Sequence, residues 1–342
     1  MKAKKGPEMR RLAILDDVLR ISPRLVDWSK VAETYQIQVF DRNLSVPEEA
    51  AVELEPFEVI CCLRERMSLP RALLEGLPNL KLICVTGPYH RTLDLAAATE
   101  LGIVVSYTEM RGPLAVTCEL SWAHLLALTK NVALEDRRMR AGGWQSTVGM
   151  SLTGKVLGLC GLGRVGRQMV QVAKAFDMTV HAWSSNLTAE KAAEAGTVLV
   201  SKEDLFRKSD IVSVHLVLSD RSRHTIGARE IAMMKPSAYL INTARGPLVD
   251  EEALIAALQE KRIAGAGLDV FHVEPLPPDH PLRKMDNVVV TPHLGFSTEE
   301  IYKIFWGDTA ENVEAFIAAR PIRVLNPDVL GSRALRRTEL IS

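Results

Sequence analysis

Neither sign of charge is in excess in this chain of 342 residues: Lys and Arg number 42, and Asp and Glu number 42. That balance removes the electrostatic field on which binding to nucleic acid or an anionic membrane depends. Aromatics are scarce, 5% of residues, and form no aromatic-basic patch. Cysteine is sparse as well. The five thiols, Cys61, Cys62, Cys84, Cys118 and Cys160, stand in or beside apolar runs without C-x-x-C spacing, which argues against zinc or disulfide frameworks. Buried, reduced thiols in the cytoplasm are expected instead. No apolar run approaches the length of a membrane span. The short run LAIL behind the basic N-terminus ends in Asp16 and Asp17, too soon for a signal peptide. Internal repeats are missing too, and so are low-complexity tracts away from the ends. What is there is 47% hydrophobic, enough for the cores of about two domains, and the partners expected are small molecules or a second copy.

One segment stands out against these absences. In VLGLCGLGRVGRQMVQVAKAF, residues 156–176, an apolar strand-like run meets Gly161, Gly163 and Gly166 in G-x-G-x-x-G spacing and passes directly into a helical pattern. This is the order of a dinucleotide site. Gly161 is expected to permit the tight turn, Gly163 to let backbone approach a pyrophosphate, and Gly166 to let the helix pack closely on the strand. Arg164 and Val165 open the helix, whose free N–H groups and dipole face the anion. No metal site is expected.

Before residue 110, short apolar runs at 12–15, 58–63, 80–85 and 102–107 alternate with helix-like stretches, which implies βα units and a parallel sheet. A long helical pattern covers 116–138, and GGW at 142–144 breaks it. Six further strand-like runs follow, at 155–160, 179–184, 210–216, 239–243, 265–270 and 287–292, each the length of a buried strand in a doubly wound sheet. These six complete one dinucleotide-binding domain. The helical stretch 298–319 is surplus to it and is expected to return to the N-terminal domain. The expectation is therefore an α/β protein with a dinucleotide-binding domain, 113–298, inserted in a substrate domain made of 1–112 and 299–342. Crossings near 108–115 and 296–300 would form a hinge over a cleft.

Three polar residues stand just past strands of the second series: Arg245 in INTARGPLVDEEAL, Glu274 in GLDVFHVEPLPPDHPL and His293 in VVVTPHLGFST. Carboxyl ends of strands line the ligand crevice of open α/β sheets. A guanidinium, a carboxylate and an imidazole there supply an anion clamp, an orienting base and a proton carrier. With these segments the chain resembles the D-2-hydroxyacid dehydrogenase family over residues 55–320: GLGRVG, VHLVLSDRSRHTIG, INTARGPLVDEEAL, GLDVF with EPLPPDHPL, and TPHLGFST with DTAENVEAF match in order and spacing.

The resemblance implies a Rossmann NAD(P)-binding domain inserted in a flavodoxin-like substrate domain, both with parallel sheets. It implies that Arg245 holds the carboxylate and carbonyl oxygen of a 2-keto acid as a bidentate fork. His293 would give a proton to the carbonyl oxygen while NAD(P)H gives hydride to the carbon, and Glu274 would pair with His293 and favour its charged form. Asp269 corresponds to the residue that contacts the nicotinamide amide. Ser184 and Ser185 fall at the adenosine ribose, Thr243 and Gly295 at further cofactor positions, and Gly87, Tyr89 and His90 in the loop that binds substrate carboxylate. His272 and Arg111 are polar loop residues that could also contact substrate. A homodimer is the family's usual state.

The chain departs from the family pattern in three places. Ser184 stands where NAD-specific members carry an acid, so repulsion of a 2′-phosphate is gone, yet no Arg or Lys follows until Lys191; NADP use is permitted rather than required. Pro88 has no N–H to offer in the carboxylate loop. Val217 replaces the proline of the HLPL form. Two further readings follow from the resemblance. One is 3-phosphoglycerate dehydrogenase, with His90 and Arg91 supplying a phosphate site. The other, of a different class, is a dinucleotide-sensing corepressor resembling C-terminal binding protein. Formate dehydrogenase is disfavoured, because that branch pairs its histidine with Gln rather than Glu274.

Overall fold

Most of the apolar runs become strands buried on both faces, as parallel sheets covered by helices require. The computed structural model describes residues 9–44, 46–111 and 115–336. The chain divides into two compact units, an N-terminal unit of Met1–Pro113 with Thr298–Ser342 and an inserted unit of Leu114–Ser297.

In the N-terminal unit, β1 (Arg10–Leu15), β2 (Tyr35–Val39), β3 (Val59–Cys62), β4 (Leu82–Val85) and β5 (Val104–Tyr107) form one parallel sheet in the order β2-β1-β3-β4-β5. That is the flavodoxin-like order, which reverses between β1 and β3. β2 escapes the run of apolar residues because it is an edge strand: in YQIQV only Tyr35 is buried, and the sequence alternates with glutamine. The helix Glu299–Ile317 returns to this unit and buries Ile301, Tyr302, Phe305, Trp306, Val313 and Phe316. Each such side chain contributes roughly 1.5–3 kcal/mol relative to exposure, which fixes where the chain re-enters. Asp308 on the same helix, also buried, accepts the Glu109 N–H at 2.9 Å and pairs with Arg111. Arg111 is thereby engaged within this unit.

In the inserted unit, β6 (Val156–Cys160), β7 (Thr179–Trp183), β8 (Val198–Leu199), β9 (Ile211–Val214), β10 (Tyr239–Asn242), β11 (Gly265–Leu268) and β12 (Val288–Val290) form a parallel sheet in the order β12-β11-β10-β9-β6-β7-β8. This is the Rossmann order with one more strand beyond the sixth, and its direction of winding reverses between β6 and β9. β8 is the strand the sequence hides, two residues long at the sheet edge. The helical pattern expected over 116–138 is two helices, Val116–Thr129 and Val132–Arg140. They are separated at Asn131, which adopts the left-handed region at φ 55°, a conformation asparagine tolerates better than most residues. The first helix buries Trp122, Leu125 and Leu128 against the sheet; the second buries nothing. All five cysteines are buried free thiols, and burial pushes the Cys62 thiol well above its ordinary range, away from thiolate reactivity.

Candidate active site

β6 ends at Cys160, and the chain turns at Gly161 with φ +101°, where a Cβ would come within 2.7 Å of the His215 carbonyl oxygen. A Cβ on Gly166 would run into the Gly161 carbonyl, so the turn itself, more than the strand, demands this glycine. Gly163 differs from both. Nothing lies within 4 Å of a Cβ placed there, and the helix Arg164–Ala175 begins at it with no side-chain cap. An uncapped helix N-terminus opening on free space, with Arg164 exposed and Val165 half-buried in its first turn, fits a dinucleotide pyrophosphate. At the end of β7, Ser184 is half-buried and Ser185 exposed. Such hydroxyls suit a ribose and repel no phosphate.

The three chemical groups sit on turns beyond β10, β11 and β12. His293 follows β12 in the left-handed region at φ 55°, and its N–H donates to the Asp269 carbonyl at 2.9 Å. Its Nδ1 lies 2.6 Å from Glu274 Oε2. Glu274 Oε1 accepts the Phe271 N–H at 2.9 Å, so both carboxylate oxygens are held. Burial pushes the Glu274 carboxyl up, but the His293 hydrogen bond and charge, the Phe271 N–H and the Arg245 charge outweigh it and hold it below the ordinary carboxylate value. Arg245 is thus close enough to act on the pair. Its own turn is braced by Asn242, whose side-chain N–H donates to the Arg245 carbonyl at 2.9 Å, and by Gly246, where any side chain would strike the backbone of Phe271. His272 is occupied in the same bracing: its Nε2 donates to the Val249 carbonyl at 2.8 Å and its ring stacks on His224.

Several expected contacts are engaged elsewhere. Asp269 is fully buried and its carboxylate accepts from Thr291 Oγ1 at 2.6 Å, Leu294 N–H at 2.7 Å and Gly295 N–H at 2.8 Å. Burial pushes this carboxyl above its ordinary value, although those three donors and His293 pull the other way. It shapes the loop that carries His293. Gly295 lends that loop its N–H, and its carbonyl accepts from Thr117 Oγ1 at 2.7 Å. Thr243 is buried with its hydroxyl 2.7 Å from Ser121 Oγ.

In the N-terminal unit, Gly87 gives its N–H to Thr108 Oγ1 at 2.7 Å, and Pro88 has none, so neither is a backbone donor to a substrate. Tyr89 is exposed with the Arg91 guanidinium over its ring, and His90 is turned inward and buried. Desolvation holds the His90 imidazole below its ordinary value. Sequence reasoning missed Arg64. It follows β3 in the left-handed region at φ 56°, its N–H donates to Thr86 Oγ1 at 2.7 Å, and its guanidinium occupies the space a Gly87 side chain would need. The signal was available, since a cation just past the carboxyl end of a strand follows the same rule that picked out Arg245.

Residues 122–295 match the model of the D-isomer specific 2-hydroxyacid dehydrogenase NAD binding domain. The chain belongs to the D-isomer specific 2-hydroxyacid dehydrogenase family. It is 36% identical over 316 residues to the glyoxylate reductase of Aeropyrum pernix, covering 89% of this chain and 93% of that protein. It is 37% identical over 281 residues to the D-3-phosphoglycerate dehydrogenase of Methanocaldococcus jannaschii, covering 78% of this chain and 53% of that protein. Among solved structures it is similar to a phosphoglycerate oxidoreductase from Vibrio cholerae, with TM-score 0.85 and 32% identity over 91% of this chain and all of that one. This dehydrogenase is therefore an oxidoreductase that uses NAD(H) or NADP(H), on the fold its strand orders describe. Among its described residues no helix is long and apolar enough to cross a membrane.

Proposed function

We propose that this dehydrogenase reduces a 2-keto acid to a D-2-hydroxy acid, with His293 as proton donor, Arg245 as anchor of the carboxylate and carbonyl oxygen, and Glu274 as the partner that orients and charges His293. The observation that carries the reading is the 2.6 Å contact between His293 Nδ1 and Glu274 Oε2. With Nδ1 committed to the carboxylate, Nε2 is the atom left to present a proton. Bound NAD(P)H supplies the hydride to the carbonyl carbon. As charge develops on the oxygen, the Arg245 guanidinium and the charged His293 meet it in place of water. In the N-terminal unit, Arg64 is the cation proposed to aid recognition of the acid, since Gly87 and Pro88 offer no N–H.

We further propose glyoxylate or a similarly small 2-keto acid as substrate, because the match to a glyoxylate reductase runs nearly the full length of both proteins while the match to a phosphoglycerate dehydrogenase covers about half of that relative. Steady-state assays with glyoxylate, hydroxypyruvate, pyruvate, phenylpyruvate and 3-phosphohydroxypyruvate, each with NADH and NADPH, test this. Preference for the phosphorylated acid would move the protein to the phosphoglycerate branch. Tight NADH binding with no turnover of any acid would favour a dinucleotide sensor.

A homodimer in the cytoplasm is part of the same proposal. Buried thiols suit a reducing compartment. Trp144, 78% exposed, and Val148, 91% exposed, lie on the segment after the unburied helix Val132–Arg140, an apolar surface fit for a second copy. Sedimentation of the wild type and of Trp144→Ser checks it; a wild-type monomer would overturn it.

A further inference from the structure

The helix Val116–Thr129 is mostly apolar, as a helix packed on a sheet should be, yet three of its polar side chains stand on one stripe at i, i+4 and i+7. Each reaches a different segment of the active site. Thr117 Oγ1 donates to the Gly295 carbonyl at 2.7 Å, in the loop after His293. Ser121 Oγ donates to the Thr117 carbonyl at 2.7 Å, so its contact with Thr243 is made as acceptor, two residues before Arg245. His124 Nε2 lies 2.8 Å from Thr291 Oγ1, two residues before His293.

The protons of the last contact can be placed. The Asp269 carboxylate, already accepting two backbone N–H groups, takes the Thr291 hydroxyl proton across 2.6 Å. Thr291 Oγ1 must then accept from His124, which puts that imidazole's proton on Nε2. Its Nδ1 is left buried without a hydrogen-bond partner among the described residues, against Gly267, where a Cβ would come within 2.9 Å of it. Burial pushes this imidazole down to about 4, so it is neutral and carries one proton. A leucine of similar size would fill the same space with no orphaned nitrogen. The cost of the imidazole is offset only by what its single N–H does at Thr291.

Resting on the reaction proposed above, we propose that Thr117, Ser121 and His124 are a positioning stripe for that reaction, with His124 as its deciding member: its N–H commits the Thr291 hydroxyl to Asp269 and so holds the loop that presents His293. His124 touches neither reacting group. It acts through Thr291 and Asp269, whose backbone carbonyl takes the His293 N–H at 2.9 Å.

The test uses His124→Leu, His124→Gln and Thr291→Val in the full chain, alone and with His124→Leu and Thr291→Val combined. His124→Leu is expected to lower kcat about tenfold with the KM for cofactor unchanged, since one neutral hydrogen bond is at stake. His124→Gln, which keeps an N–H near the Nε2 position, restores most of the loss, and the double variant is no worse than Thr291→Val alone. Independently of turnover, hydrogen exchange of the Leu294 and Gly295 amides in unliganded His124→Leu accelerates by about tenfold while the amides of β6 keep their rates. Should His124→Leu fail to fold, Thr291→Val breaks the same link and carries the same expectations. Unchanged kcat and exchange, a glutamine variant as impaired as the leucine one, or losses that multiply in the double variant would overturn the proposal. If the wild type turns over no 2-keto acid, the reading of the reaction fails, and the exchange rates still decide whether the stripe holds the loop.

Discussion

In the inserted unit, the turns beyond β10, β11 and β12 hold Arg245, Glu274 and His293 part-way exposed and in electrostatic contact. The turns beyond β1, β3 and β4 of the N-terminal unit spend their polar groups on themselves. Asp17 caps the Ile21 and Ser22 amides at 3.0 and 2.8 Å, Gly87 donates to Thr108, and His90 is buried. Both sheets are parallel and both reverse their winding once, so topology gives each a crevice at its carboxyl edge. What differs is which backbone groups the turns leave unpaired and which side chains they leave in water. The inserted unit leaves an uncapped helix at Gly163 and three ionisable side chains. In the N-terminal unit the corresponding side chains are engaged: the Arg64 guanidinium donates to the Thr86 carbonyl at 3.3 Å, and Arg91 lies over the Tyr89 ring. On the proposed function, chemistry belongs to the inserted unit and recognition to the N-terminal one.

The sharpest way to break this division is Arg245→Lys. An ammonium has no planar two-point fork, so kcat/KM should fall on the order of 1000-fold while cofactor affinity holds. Near wild-type turnover would remove Arg245 from the site. Glu274→Gln comes next. The carboxylate is held below its ordinary value by its hydrogen bond to His293, and a neutral amide brings no charge to that contact. The rate of reduction should fall by roughly ten- to a hundredfold, with an altered pH–rate profile. A pH–rate profile with unmoved limbs would show that Glu274 does not govern the proton donor. Ser184→Asp acts on the cofactor alone. The wild type should use NADPH within about two orders of magnitude of NADH in kcat/KM, and the aspartate should depress NADPH far more than NADH by facing a 2′-phosphate with like charge. An unchanged NADPH/NADH ratio would mean that the ribose is not read there.

From the N-terminal unit, Arg64→Gln should raise the KM for keto acid about tenfold and leave kcat close to wild type. A fall in kcat instead would erase the division between the units. The smallest effect is on stability. Burial pushes His124 and His215 down to about 4, whereas an unfolded histidine titrates near 6.5. Between those values the unfolded chain binds more protons, so stability is lost as pH falls from about 6.5 towards 4. Thermal midpoints should drop by several degrees across that window, and less in His124→Leu, which removes one of the two groups. A flat midpoint from pH 7 to 4 would contradict the buried neutral state of both.

The central strands, the glycine turn and the three chemical residues were legible because each leaves a local mark. Strands buried on both faces are runs of apolar residues, and the side chains proposed for the reaction follow those runs at the carboxyl end. The edge strands β2 and β8 left no such mark, since an edge needs only one face or two residues to pair. Asn131 divided what reads as one helical pattern, because the sequence allows a left-handed residue without requiring it. Hydrogen-bond partners were the least legible, as they depend on distance in space. Asp269 and Thr243 stand at the right places in the chain, but their groups are taken by Thr291, Leu294, Gly295 and Ser121. The sequence by itself determined the family, both sheets in outline and the placement of Arg245, Glu274 and His293 just past strands, because composition, periodicity and motif spacing are properties of the chain. Only the tertiary structure decided which polar groups face water and which face each other: a hydrogen bond needs two groups within about 3 Å, and packing alone brings Ser121 and His124 to strand ends more than a hundred residues away.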